Sequence, residues 1–174
     1  MKTTFILLFA LCFGVQNPQK QTIKMEDVNK IQETITKLFV NTDTRNWSKV
    51  ESQFSPKVLL DYSSMSGNPA TEVTPNEITT AWKGVLPGFT YTHHQIGNFI
   101  TEINEDKAHS FCYGTATHYL EDENGNVWTV VGSYDFDLER NKDTWKITKM
   151  KFNYKYQDGN SKLIEKAINS SKTN

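Results

Sequence analysis

Three side chains in this sequence could carry proton-transfer chemistry. His94 and His118 stand in two successive stretches that read as strands, and Asp43 follows an apolar helical stripe by one turn from Phe39. An imidazole with a reference pKa of about 6.5 can take or give a proton near neutrality. A carboxylate within reach can orient such a ring and stabilise its charged form. His93 adjoins His94, so the two point to opposite faces of a regular strand and cannot share a metal ion. Two histidines and a carboxylate could in principle hold a metal. None of the tight metal-binding spacings occurs, however, and neither a metal nor a cofactor is expected. His109 reads as a surface histidine. Asp43 keeps a second reading, as a cap for the short helix that follows through Asp43-Thr44-Arg45-Asn46.

These groups need elements that bring them to one place. Val28, Ile31, Ile35, Leu38 and Phe39 recur at helical spacing from Met25 onward, predicting a helix that fades near Asn41–Asp43. A short second helix is expected to carry Trp47, Val50 and Phe54 and to end before Pro56. Val58–Tyr62 reads as a short strand, followed by a polar loop over residues 63–69. Thr74-Pro75-Asn76-Glu77 has the makings of a capping box at a helix start, and Pro87-Gly88 ends that helix. Four long strands follow, roughly over residues 89–103, 107–120, 127–138 and 144–156. They are joined by short turns, of which Asn124-Gly125 is the clearest hairpin signal.

Connections this short make neighbouring strands antiparallel. The expectation is an α+β fold, with a curved antiparallel sheet wrapped around the N-terminal helices as a cone-shaped α+β barrel. Within the second long strand, Ala108, Ser110, Cys112, Gly114, Ala116 and His118 share one face. A row of small residues leaves either room for a ligand or a slot for a bulky side chain such as Trp82 or Phe39. Trp82 and Tyr134 could wall a flat apolar ligand or simply pack the core.

The 174 residues carry 19 Lys and Arg against 20 Asp and Glu. This near-balance gives no reason to expect a nucleic-acid partner. Aromatic residues at 12% argue against disorder. Lys2 followed by the apolar run Phe5–Val15 reads as a signal peptide within residues 1–20, too short to span a bilayer. The protein is therefore expected to be exported, periplasmic or extracellular. Lipidation at Cys12 is not expected, because bulky Leu11 stands where processing needs a small residue. One domain over residues 25–157 and a polar tail over 158–174, with a weak helical stretch at 163–168, complete the organisation.

Several blocks, in order, resemble the SnoaL-like branch of the NTF2-like superfamily, and within it scytalone dehydratases. They are Thr42-Asp43-Thr44-Arg45-Asn46-Trp47, Val58–Ser64 with its Asp61-Tyr62, Thr92–Gly97 with His94, Ala116–Tyr119 with His118, and Thr144-Trp145-Lys146-Ile147. The resemblance implies a catalytic set of Asp43, Tyr62, His94 and His118. His118 would be the acid–base group and Asp43 its orienting partner, while His94 and Tyr62 would hold a substrate oxygen or a water. It also places Ser133 and Tyr134 on the substrate side and implies a homodimer formed through the sheet face. Thr42 stands where those enzymes have a Tyr, and Gly132-Ser133-Tyr134-Asp135 differs from their substrate-side residues, pointing to a different substrate. The expected activity is a dehydratase, cyclase or isomerase acting on a small cyclic or apolar molecule. The alternatives are a non-catalytic small-ligand binder or a dimeric interaction module of the same fold.

Overall fold

The computed structural model describes residues 18–172, with side chains from Met25 onward. The export segment expected in residues 1–20, with Cys12, lies outside the described residues except for the backbone of residues 18–20. Helix α1 runs over Pro18–Asp43. Its stripe Ile31, Ile35, Leu38 and Phe39 is buried almost completely, as the spacing predicts. Asp27 lies buried on the same helix. Arg140 clasps it through two guanidinium hydrogen bonds of 2.7 and 2.8 Å, and the Trp145 indole N–H adds a third at 3.2 Å. This ties α1 to the strands that carry Arg140 and Trp145, so the helix is held by a paired buried charge as well as by apolar contact.

Helix α2 (Trp47–Glu51) is shorter than expected, and Phe54 starts strand β1 (Phe54–Asp61) instead of ending a helix. Pro56 is tolerated inside β1 because the ladder to the neighbouring strand shifts register between Phe54 and Leu59. The expected loop over 63–69 contains one helical turn, α3 (Ser63–Ser66), and is followed by a short strand, β2 (Thr71–Val73). Helix α4 (Pro75–Lys83) has its capping box: the Glu77 backbone N–H donates to Thr74 Oγ1, and the Thr74 backbone N–H donates to the Glu77 carboxylate. A tight helical turn at Leu86–Gly88 leads into β3 (Tyr91–Asn104), β4 (Lys107–Tyr119), β5 (Val127–Asn141) and β6 (Thr144–Gly159).

The sheet order is β2-β1-β6-β5-β4-β3, with β1 parallel to β6 and every other pair antiparallel. This corrects the expected cone-shaped antiparallel barrel: the sheet is mixed and open. Short turns fix the direction of β3 to β6, as expected. β1, however, reaches β6 only through the rest of the chain, so no tight turn dictates antiparallel pairing there. The edge strands β2 and β3 do not pair with each other, and the sheet is not closed.

The C-terminal stretch forms α5 (Leu163–Ser171), longer than expected, with Leu163 and Ala167 fully buried. It docks against the Leu86–Gly88 turn. A Cβ on Gly88 would stand 1.9 Å from the Ala167 carbonyl oxygen, so only glycine permits this approach. No helix among the described residues is long and apolar enough to cross a membrane.

Candidate functional site

Asp43 is the last residue of α1, where the helix passes over β3. Its carboxylate takes two hydrogen bonds from one residue: the His94 backbone N–H at 2.8 Å on Oδ2 and His94 Nδ1 at 2.7 Å on Oδ1. The side chains of His94 and Asp43 are only 12% and 16% exposed. Burial alone would raise the Asp43 pKa, but the His94 hydrogen bonds and charge outweigh it and hold the carboxyl below its ordinary range. Since Asp43 is ionised, Nδ1 of His94 carries the proton, and Nε2 is left with its lone pair. The Phe39 ring stacks on His94 at 5.2 Å and fixes its plane. The capping reading of Asp43 gives way, because Asn46 stands at the start of α2 and makes no side-chain cap.

His118 lies across the β3–β4 ladder, paired with Thr92, while His94 pairs with Ala116. The two imidazoles share the inner face, 6.2 Å apart and nearly perpendicular at 81°. His118 stacks on Trp128 at 4.7 Å and meets Phe89 at 4.8 Å. Its Nδ1 is 3.3 Å from the Trp128 carbonyl oxygen, which can only accept, so Nδ1 donates and Nε2 is again the free lone pair. Burial in this aromatic box, with His94 nearby, pushes the His118 pKa down to about 4. At neutral pH His118 is therefore an uncharged ring.

The row of small residues on β4 is buried as read from the alternation, apart from half-buried Ala116. The row is partly filled and partly open, and what fills it is Tyr134 of β5, not the expected Trp82 or Phe39 from a helix. At Gly114 the slot is filled, because a Cβ there would stand 2.3 Å from the Tyr134 ring. Toward Ala116 and His118 a cavity of about 210 Å³ remains. His94 and His118 line it together with Tyr62, Trp82, Trp128 and Tyr134, and Ile164 of α5 contributes to its wall. Most of this lining is apolar. Tyr62 packs on Phe152 at 5.9 Å, and burial raises its pKa above the usual range, so it stays a neutral phenol.

Of the residues expected at the site, Tyr62, His94, His118, Trp82 and Tyr134 converge on the cavity, and Asp43 supports it through His94. The carboxylate bonds to His94, whereas the resemblance paired it with His118; α1 ends above β3, next to His94 in register. Ser133 is buried on the opposite face of β5 from Tyr134 and is not part of the lining. Trp128 and Phe152 were not foreseen. Trp128 was within reach of sequence reasoning, because the Asn124-Gly125 hairpin sets His118 opposite Trp128. Among the described residues, no three His, Cys, Asp or Glu side chains gather in a way that could hold a metal ion. The lone described cysteine, Cys112, is buried, and its thiol pKa is pushed up to about 12 by that burial.

Comparison with known proteins places this arrangement in a broad structural group. A Kribbella flavida protein of known structure superposes with a TM-score of 0.75 at 24% identity, covering 82% of this chain and 99% of its own. A Novosphingobium aromaticivorans protein provisionally named a scytalone dehydratase gives 0.70 at 14% identity, covering 83% and 92%. Hexachlorocyclohexane dehydrochlorinase LinA-type3 from Novosphingobium barchaimii gives 0.68 at 15% identity, covering 81% and 94%. No curated protein sequence matches this chain. At these identities the likeness is one of fold. The model of the SnoaL-like domain matches residues 24–151, which span α1 from its first half through the first half of β6, and the chain belongs to that family within the NTF2-like superfamily.

Proposed function

We propose that this protein is a small-molecule lyase that removes a proton from carbon and expels a neighbouring group, with His94 as the base. The observation that carries this reading is the Asp43–His94 clasp, whose remaining imidazole nitrogen belongs to a residue lining an apolar cavity. In a dehydration, His94 Nε2 takes the proton as the C–H bond breaks and the C=C bond forms. The carbon–oxygen bond breaks, and the departing hydroxide takes the proton back from His94 and leaves as water. Asp43 stabilises the positive ring during the interval when His94 holds the proton. His118, uncharged and with Nε2 free, accepts a hydrogen bond from the substrate hydroxyl or a water, and the Tyr62 phenol lies on the same cavity. The apolar lining favours a small, largely cyclic or apolar substrate.

The test needs no knowledge of the natural substrate. Nitrobenzisoxazole is a flat bicyclic probe whose N–O bond opens when a base takes its ring C–H proton, releasing a coloured phenolate. The wild-type protein is expected to accelerate this elimination. His94→Ala is expected to lose roughly 10²–10⁴-fold of the acceleration. Undiminished catalysis by His94→Ala contradicts the proposal.

A further inference from the structure

Among the described residues, one buried side-chain polar atom makes no hydrogen bond: the hydroxyl oxygen of Thr92, a residue only 8% exposed. Other buried hydroxyls of this fold are satisfied. Thr42 donates to the Leu38 carbonyl, Thr79 donates to the Glu51 carboxylate, and Ser110 shares a hydrogen bond with Thr101. An unpaired buried hydroxyl costs stability, so its presence calls for a reason. The position of Thr92 supplies one. It precedes His94 by two residues on β3, so alternation puts both on the inner face, and its register partner on β4 is His118. Its hydroxyl falls short of a hydrogen bond to Asp43. Even so, it adds to the His94 contacts that hold that carboxyl below its ordinary range against the effect of burial.

We propose that Thr92 is a positioning residue whose hydroxyl donates a third hydrogen bond to the Asp43 carboxylate in the working site. This deepens the lyase reading and rests on it for its purpose. The two carboxylate oxygens each take one hydrogen bond from His94, Oδ2 from the backbone N–H and Oδ1 from Nδ1. Each oxygen has a second lone pair, so a further donor displaces neither bond. The charge of the acceptor makes such a bond a strong one. A third donor also draws on the negative charge of the carboxylate and makes it a poorer proton acceptor. The shared proton then stays on Nδ1 of His94, and the lone pair of Nε2 stays available to the substrate.

The experiment follows the Nδ1–H proton of His94 by NMR, together with nitrobenzisoxazole elimination, in wild type, Thr92→Val and Thr92→Ser. Valine keeps the shape and removes the hydroxyl, whereas serine keeps the hydroxyl. His94→Ala identifies the signal by its loss. In Thr92→Val the signal is expected to move downfield, because a carboxylate with one donor fewer binds the ring proton more strongly. Elimination by this variant is expected to slow about tenfold, as for one hydrogen bond to a charged group. Thr92→Ser is expected to keep both signal and rate near wild type. A signal unmoved in Thr92→Val overturns the inference, as does one that moves equally in Thr92→Ser, since the hydroxyl is then not the cause. A Thr92→Val protein that eliminates through His94 at the wild-type rate overturns the positioning role and leaves the lyase reading standing. Elimination that is absent from wild type or indifferent to His94 refutes the lyase reading instead, and the NMR signal still decides whether Thr92 bonds Asp43.

Discussion

Strands β3 and β4 carry histidines on both faces of one sheet, and the two faces treat them differently. On the outer face, His109 lies between two carboxylates, with Nδ1 2.8 Å from Asp137 and Nε2 3.2 Å from Asp135. Lys149 approaches Asp137 at 3.5 Å, and Asn153 donates to Asp135 at 2.6 Å. Both nitrogens of His109 are occupied, and its side chain is 46% exposed. On the inner face, His94 and His118 each have one nitrogen engaged and the other free, and both line the cavity. The same residue types give a solvated ion cluster on one side and proton-transfer groups on the other. The difference lies in burial, in the single partner per ring (the Asp43 carboxylate for His94, the Trp128 carbonyl for His118) and in the neighbouring empty volume.

The sharpest way to break this comparison is to remove one histidine from each face. His94→Ala is expected to lose roughly 10²–10⁴-fold of its nitrobenzisoxazole elimination, while His109→Ala keeps wild-type rates. Equal losses would erase the distinction between the faces.

Acid sharpens it next. The folded pKa of His118, about 4, lies below the unfolded value near 6.5, so the unfolded chain binds more protons between these limits. Stability is therefore fully present above about pH 6.5 and falls as the pH drops toward 4, by about 3 kcal/mol from this group. Urea unfolding across this range is expected to show a flatter pH dependence for His118→Gln. An unchanged slope would mean that the ring titrates normally. Asp43, with its lowered pKa, contributes in the same direction but at lower pH, its stabilisation being lost as pH falls through its folded value.

A smaller effect probes the inner packing. In Gly114→Ala the new methyl meets the wedged Tyr134 ring, and unfolding is expected to show a loss of about 1–3 kcal/mol. A neutral result would mean that the ring moves freely. Smallest is the outer cluster: His109→Ala is expected to change stability by no more than about 1 kcal/mol, because its ion pairs are solvated.

Much of the inner face was legible in the sequence because it obeys local rules. The period of α1 exposes its buried stripe, the capping box starts α4, and strict alternation along β4 separates the small inner residues from His109. Three things escaped for the same physical reason, that they depend on partners distant in sequence. The parallel β1–β6 pairing joins strands with no turn between them, which overturned the expected closed antiparallel sheet. The choice of His94 over His118 by Asp43 depends on where α1 ends above β3. The docking of α5 on Gly88 depends on a contact between Ala167 and a turn far earlier in the chain. Trp128 is the intermediate case: the Asn124-Gly125 hairpin fixes its place opposite His118, and only the stacking of the two rings needed the structure.

At the centre of this account, Asp43 and His94 act as one proton-accepting unit. The direct test is a double-mutant cycle in nitrobenzisoxazole elimination, comparing Asp43→Asn, His94→Ala and the double variant with wild type. If the carboxylate works only through the ring, the double variant is no slower than His94→Ala alone. If the two losses multiply, Asp43 acts independently of His94, and the pairing drawn from the structure is not the catalytic one.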